Sequence, residues 1–177
     1  LNMEVKIVSA HDAAQLSQFY GDNQEHLRLW EPRRDEGYHT VEAWEQRLEE
    51  WRTARENGTS VHFIASETGQ TDIIAICSLT NIVRGPFLAC HMGYAVSHKY
   101  EGKGYMKALC THAIDYAFNE LRLNRVMANY MPGNHRSAAL LERLGFQKEG
   151  EAKRYLKING AWEDHILTSL LNPETTR

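Results

Sequence analysis

The chain has 177 residues, 42% of them hydrophobic and 24% charged, with a formal net charge of −3; this is an ordinary globular composition, expected for one domain over 1–177 that buries about 70% of its unfolded surface. The negative balance speaks against a basic nucleic-acid-binding face; no apolar run nears the ~18 residues of a membrane span and no basic-then-apolar leader is present, so a cytoplasmic protein without a membrane partner is expected. The three cysteines, Cys77, Cys90 and Cys110, sit in apolar patterns and read as reduced core thiols, while the nine histidines fall in no metal-ligand spacing, so no metal is expected.

In chain order, Met3 to Val8 alternates as a first strand. A helix seeded near Ser9 turns Ala14, Leu16 and Phe19 inward, and a looser helical stretch runs from Glu25 to the break at Trp30-Glu31-Pro32. Thr40 caps a long helix with Val41, Trp44, Leu48 and Trp51 as its apolar stripe and Glu42, Glu45, Glu49 and Glu50 on its wet side, ending at Asn57-Gly58. Val61 to Glu67 and Ile73 to Val83 are strands joined by a turn at Thr68 to Asp72, and Arg84-Gly85-Pro86 leads into a fourth strand in which Cys90, Met92, Tyr94 and Val96 share a face. Cys90 and His91, as strand neighbours, point to opposite faces and do not form a nucleophile–base pair.

The fourth strand runs into Glu101-Gly102-Lys103-Gly104 and then a helix with Met106, Leu109, Cys110, Ala113, Ile114, Ala117, Phe118 and Leu121 on one side. The first four N–H groups of a helix are unpaired and carry about half a positive charge, so this junction suits a phosphate, although a glycine turn can equally be a plain connection. Neither the P-loop spelling nor the dinucleotide fingerprint is present. Downstream, Arg125 to Met131 is a short strand, Pro132-Gly133 a break, and Asn134 the cap of a helix through Ala138, Leu141 and Leu144 that Gly145 stops. Phe146 to Ile158 and Ala161 to Leu171 form a hairpin around Asn159-Gly160. The element order implies an α/β fold, a mixed sheet with helices on both faces.

The pairing of Glu101-Gly102-Lys103-Gly104-Tyr105-Met106 with the run from Asn134 to Phe146, separated by a helix and a strand, resembles the acetyl-CoA site of the GNAT N-acetyltransferases. Asn129 to Pro132, Arg143 to Gly150, Tyr155-Leu156, Asn159-Gly160, Trp162 and Asp164-His165 narrow the likeness to the branch that acetylates the N-terminal alanine of a small-subunit ribosomal protein. The resemblance implies a mostly antiparallel seven-stranded sheet whose strands four and five splay apart to admit the pantetheine arm. It also implies acetyl-CoA as cosubstrate, held by Val96, His98, Glu101 to Met106, Asn134 and Ser137. The chain departs from the family at Glu101, where Gln or Arg is usual, at Met106, where Gly or Ala is usual, and at Leu141, where a proton-donating tyrosine often stands.

Acetyl transfer needs a donor for the developing oxyanion, an acceptor for the amine proton and a donor for the sulfur. A backbone N–H near Val96 is the candidate for the first. Ser137 is the candidate for the last; its alternative is a bond to its own backbone. No carboxylate stands out as the base, since the position of a relative's glutamate holds Leu156. An α-amine with pKa ~7.7–8.0 is about one-tenth neutral at pH 7 and needs only a modest base, which leans toward N-terminal rather than lysine acetylation. Trp30, Tyr38, His91 and Tyr130 are the expected acceptor-binding residues, with core packing as the alternative. Competing functions are a small-amine acetyltransferase for polyamines or aminoglycosides, and a non-catalytic CoA-binding module associated with ribosomes.

Overall fold

The computed structural model describes residues 1–177. Seven strands form one sheet in the order β1-β2-β3-β4-β5-β7-β6: β1 Met3–Ile7, β2 Val61–Glu67, β3 Ile73–Val83, β4 Ala89–Val96, β5 Arg125–Tyr130, β6 Gln147–Ile158 and β7 Ala161–Leu171. Every neighbouring pair is antiparallel except β4 and β5. The helices are α1 Ala13–Asp22, α2 Gln24–Leu27, α3 Val41–Glu56, α4 Tyr105–Asp115 and α5 His135–Arg143. No helix is long and apolar enough to cross a membrane.

Strand alternation divides the core between the two faces of the sheet. On one face Phe63, Cys77, Cys90, Met92, Val126 and Ala128 pack against Leu109, Cys110 and Ala113 of α4 and Leu140 and Leu141 of α5. On the other, Ile64, Ile76 and Ala95 pack against Leu16 and Phe19 of α1 and Trp44 and Leu48 of α3. All three cysteines are free and buried, with Cys77 and Cys110 sulfurs 4.0 Å apart.

Several apolar positions expected in the helices, among them Ala14 and Val41, are not fully buried. Helix α1 is preceded by a 3₁₀ turn, Ala10–Asp12, closed by a reciprocal box in which Ser9 accepts from the chain and the Asp12 carboxylate accepts the Ser9 N–H at 2.7 Å. Within α1 the i, i+3 spacing buries Ala13, Leu16 and Phe19 on one face, and Ala14, two residues before Leu16 and five before Phe19, points away from it and is exposed. Val41 has the phase of the α3 stripe but lies in the first turn and stays 38% exposed. In α5 the buried positions are Ser137, Leu140 and Leu141, with Ala138 and Leu144 half-buried.

The caps and turns follow their side-chain chemistry. Thr40 accepts the Ala43 N–H at 3.2 Å, and Asn134 accepts the Ser137 N–H at 3.1 Å. Asn159 and Gly160 have φ of 47° and 87°, the two positive values a tight two-residue hairpin requires. That hairpin tip is docked: the Asn159 N–H donates to the Glu31 carbonyl at 2.8 Å, and Arg33 donates to the Asn159 carbonyl at 3.3 Å. The segment after α2 is thereby tied to the far end of the sheet.

Candidate active site

The parallel pair β4–β5 is short. Ala89, Cys90 and His91 face Arg125, Val126 and Met127, and there the ladder ends, although β4 continues to Val96 and β5 to Tyr130. The two strands part, as the resemblance implies. The Ser97 N–H donates to the Ile74 carbonyl at 2.8 Å, and Val96 stands opposite Ala75. Since amides along a strand alternate in direction, those of Ala95 and Ser97 point to β3, and those of Tyr94 and Val96 point into the gap toward β5. The alternation thus places the expected Val96 donor on the open side, and Tyr94 presents a second amide beside it.

At the C-terminal end of β4 the chain makes a 3₁₀ turn, His98–Tyr100, and enters the loop before α4. Gly102 and Gly104 have φ of 72° and 87°, which fold the loop over the helix end. The amides of Gly102, Lys103, Gly104, Tyr105, Met106 and Lys107 find no acceptor in the chain; the ladder of α4 begins with the Ala108 N–H donating to the Gly104 carbonyl at 3.1 Å. Six consecutive donors at a helix N-terminus fit a pyrophosphate. The same loop lies beside the parted strands, so the residues present fit acetyl-CoA, with its phosphates on the amides and its arm in the gap.

Glu101 and His98 take a different part from the one expected. The Glu101 N–H donates to the His98 carbonyl at 3.2 Å, and the His98 N–H donates to Asn23 Oδ1 at 2.8 Å, so neither amide is available to a phosphate. The Glu101 carboxylate, 9% exposed, lies among His98 Nδ1 at 2.7 Å, His26 Nδ1 at 3.6 Å and the guanidinium of Arg136 from the first turn of α5. Burial, then the charges of His98 and Arg136, lower the His26 pKa below the usual histidine value. His26, His98 and Glu101 bring ligand atoms within 4.8 Å of one another, and Arg136 supplies there the positive charge that a metal ion would. The acidic departure from the family pattern is therefore compensated: the carboxylate that would repel a phosphate is already paired.

Ser137 is buried in the first turn of α5, its amide fixed by Asn134. Its hydroxyl makes no bond to its own backbone and is hydrogen-bonded to the hydroxyl of Tyr94. Burial is the largest influence on Tyr94 and pushes its phenol well above the ordinary tyrosine range, which keeps it protonated. Leu141, at 1% exposure, is a core residue and presents nothing to the gap.

The expected acceptor residues divide between the faces. Tyr130, half-buried, shares the α4–α5 face with Tyr94. His91 stands on the opposite, α1–α3 face at the last paired position before the fork, with Nδ1 3.5 Å from Asn81 Nδ2. Burial lowers its pKa, keeping the ring neutral near pH 7. Trp30 ends the 3₁₀ turn Arg28–Trp30 and is 39% exposed. The ring of Tyr38 carries the guanidinium carbons of Arg47 at 3.8 Å and Arg34 at 4.6 Å. Leu156 is exposed on β6. The glycine loop, Tyr94, Tyr130 and Ser137 thus lie on the α4–α5 side, and His91 and Tyr38 on the α1–α3 side, with Trp30 in the segment that follows α2. Sequence reasoning assigned no site role to Tyr94, Arg136 or His26: an inward strand tyrosine reads as packing, and nothing local joins residues 23, 26, 98, 101 and 136.

The comparisons with known proteins agree with this geometry. The family model described as an acetyltransferase (GNAT) domain matches residues 5–147. The chain is 42% identical over 172 residues to the ribosomal protein uS5-alanine N-acetyltransferase of Escherichia coli, covering 97% of this chain and 89% of that protein. The ribosomal-protein-S5-alanine acetyltransferase of Vibrio fischeri superposes with a TM-score of 0.95 at 40% identity, over 100% of this chain and 97% of the other. Mycobacterium smegmatis RimJ in complex with CoA-disulfide superposes at 0.91 with 29% identity, over 99% and 84%.

Proposed function

The chain belongs to the GNAT acetyltransferase family, and we propose that it transfers acetyl from acetyl-CoA to the N-terminal alanine of a small-subunit ribosomal protein, in the cytoplasm. The observation that carries the proposal is the parting of β4 and β5 beside six unpaired loop amides, on a chain 42% identical to an alanine N-acetyltransferase over nearly its whole length.

Bound acetyl-CoA supplies the acetyl group as a reactive thioester. The amides of Gly102 to Lys107 hold its phosphates, and Asn134 fixes the first turn of α5 beside the gap. The amides of Tyr94 and Val96 face the gap, where a fixed backbone donor stabilises negative charge developing on a carbonyl oxygen. Ser137 presents a hydroxyl from the α5 side. The acceptor comes from the α1–α3 face, past Trp30, Tyr38 and His91, and meets the acetyl group where the strands diverge.

No carboxylate is needed as a strong base for this acceptor. About one α-amine in ten is neutral at pH 7, against less than about one lysine amine in a thousand. The rate at subsaturating peptide therefore rises through pH ~7.7–8 as the α-amine deprotonates. An intact-mass assay with acetyl-CoA tests the substrate. A peptide beginning with alanine gains one acetyl group, and its N-blocked, lysine-containing counterpart gains none. Acetylation of the blocked peptide, or of spermidine in preference to both, overturns the proposal.

A further inference from the structure

We propose that Tyr94 is a positioning residue that aims the hydroxyl of Ser137 at the sulfur of the acetyl donor. The inference rests on the acetyl-transfer function proposed above and extends it to a residue outside the coenzyme loop and the α5 cap.

A phenol has one O–H to give, and the only partner of the Tyr94 hydroxyl in the chain is Ser137 Oγ. A phenol, with an ordinary pKa of ~10, is a stronger acid than an alkyl hydroxyl and the poorer acceptor of the two, so in this pair Tyr94 gives the hydrogen and Ser137 Oγ accepts it. Burial holds the phenol protonated and so keeps it a donor. The backbone of Ser137 is fixed independently, because its N–H donates to Asn134 Oδ1. A serine hydroxyl inside a helix usually gives its hydrogen to the carbonyl four residues back, but Ser137 gives nothing to the backbone. With its oxygen held by Tyr94 and its main chain held by Asn134, the Ser137 hydrogen is left to point away from both, into the gap beside β4.

Geometry explains why the donor comes from the strand. Tyr94 directs its amide into the gap and its side chain to the α4–α5 face, so one residue bridges the strand and the helix that flank the donor. The helix position where the family often carries a tyrosine is Leu141, sealed in the core.

The acceptor nitrogen bonds to the acetyl carbon, the carbon–sulfur bond breaks, and its electron pair stays on sulfur. Ser137 gives its hydroxyl proton to the sulfur and is reprotonated, through solvent, by the proton that the acceptor nitrogen sheds. Tyr94 keeps its own proton throughout.

The test compares wild type, Tyr94→Phe, Ser137→Ala and the double variant by two readouts. In the binary complex with CoA, thiolate absorbance is followed against pH: hydrogen bonds to a thiolate lower its pKa, so the thiol bound to either single variant titrates about one pH unit higher than in wild type. In turnover with the alanine peptide, Tyr94→Phe lowers kcat about tenfold and Ser137→Ala about a hundredfold, as for loss of an aligned proton donor, with the KM for acetyl-CoA unchanged. The double variant is no slower than Ser137→Ala, because Tyr94 acts through Ser137. An unshifted thiol pKa in Tyr94→Phe, a loss expressed only in KM, or additive losses in the double variant overturns the inference. Acceptor-free hydrolysis of acetyl-CoA, read as thiol release, separates the two proposals. A wild type inert to the peptide whose hydrolysis is slowed by Tyr94→Phe refutes the substrate and supports Tyr94.

Discussion

Arg136, in the first turn of α5, lies against the carboxylate of Glu101, in the loop ahead of α4. The two helix N-termini that flank the gap are thus joined by an ion pair at a position where the family usually carries Gln or Arg. A negative charge beside an anion site is costly unless neutralised, and here the neutralising group comes from across the gap.

Glu101→Gln therefore leaves Arg136 without its partner and removes the one acid from the loop. Binding of CoA, measured by titration calorimetry, is expected to tighten about threefold to tenfold at low salt, with the gain shrinking as salt is raised. Arg136→Ala should do the reverse, since it leaves the nearly buried carboxylate facing the phosphates. Weaker binding by Glu101→Gln would mean that the carboxylate itself contacts the ligand.

Asn134→Ala removes the side chain that accepts the Ser137 N–H. Loss of such a cap costs about 1 kcal/mol, readable as a lower midpoint in urea without a change in slope. The variant also frees the first turn that carries Ser137, so kcat should fall further than the stability loss alone explains at a temperature where the protein is fully folded.

Gly160→Ala addresses the acceptor side. Its φ of 87° disfavours a side chain, and an added Cβ would come within 2.6 Å of the Arg33 guanidinium. The cost is about 1–2 kcal/mol, and displacement of Arg33 loosens the segment carrying Trp30 and Glu31. Peptide KM should rise while the CoA dissociation constant stays constant. A change in CoA binding instead would show that the hairpin acts on the donor side.

His62 sets a pH limit on stability. It is buried, stacked on Trp51 with ring centroids 3.5 Å apart, and its Nδ1 is 2.6 Å from Ser78 Oγ. Burial lowers its pKa to about 4 from the ordinary 6.5. The native state therefore binds fewer protons than the unfolded state between these values, so stability rises with pH across that window and is lost as pH falls from 6.5 toward 4. The linkage amounts to about 2 kcal/mol between pH 7 and pH 5. Urea denaturation at the two pH values measures it, and His62→Gln should flatten the difference.

The legible parts of the chain are those decided within a few residues. Asn159-Gly160 specifies its hairpin because both residues accept positive φ, and Thr40 and Asn134 specify helix starts because their oxygens reach an amide three residues on. Strand and helix periods placed Cys90, Leu109 and Trp44 inside for the same reason, since alternation and the 3.6-residue turn are properties of the backbone. Ala14 falls outside the stripe by the same rule, since it stands two residues from Leu16 and five from Phe19 and so lies on the opposite side of α1.

By itself, then, the sequence determined the element order, the caps, the turns and the glycine-bearing start of α4, each a matter of local backbone geometry. Only the tertiary structure decided where β4 and β5 part, that Tyr94 meets Ser137 43 residues away, and that Glu101 is shared by His26, His98 and Arg136. These relationships depend on which faces pack together. That is settled by burial summed over the whole sheet, which no local spacing encodes.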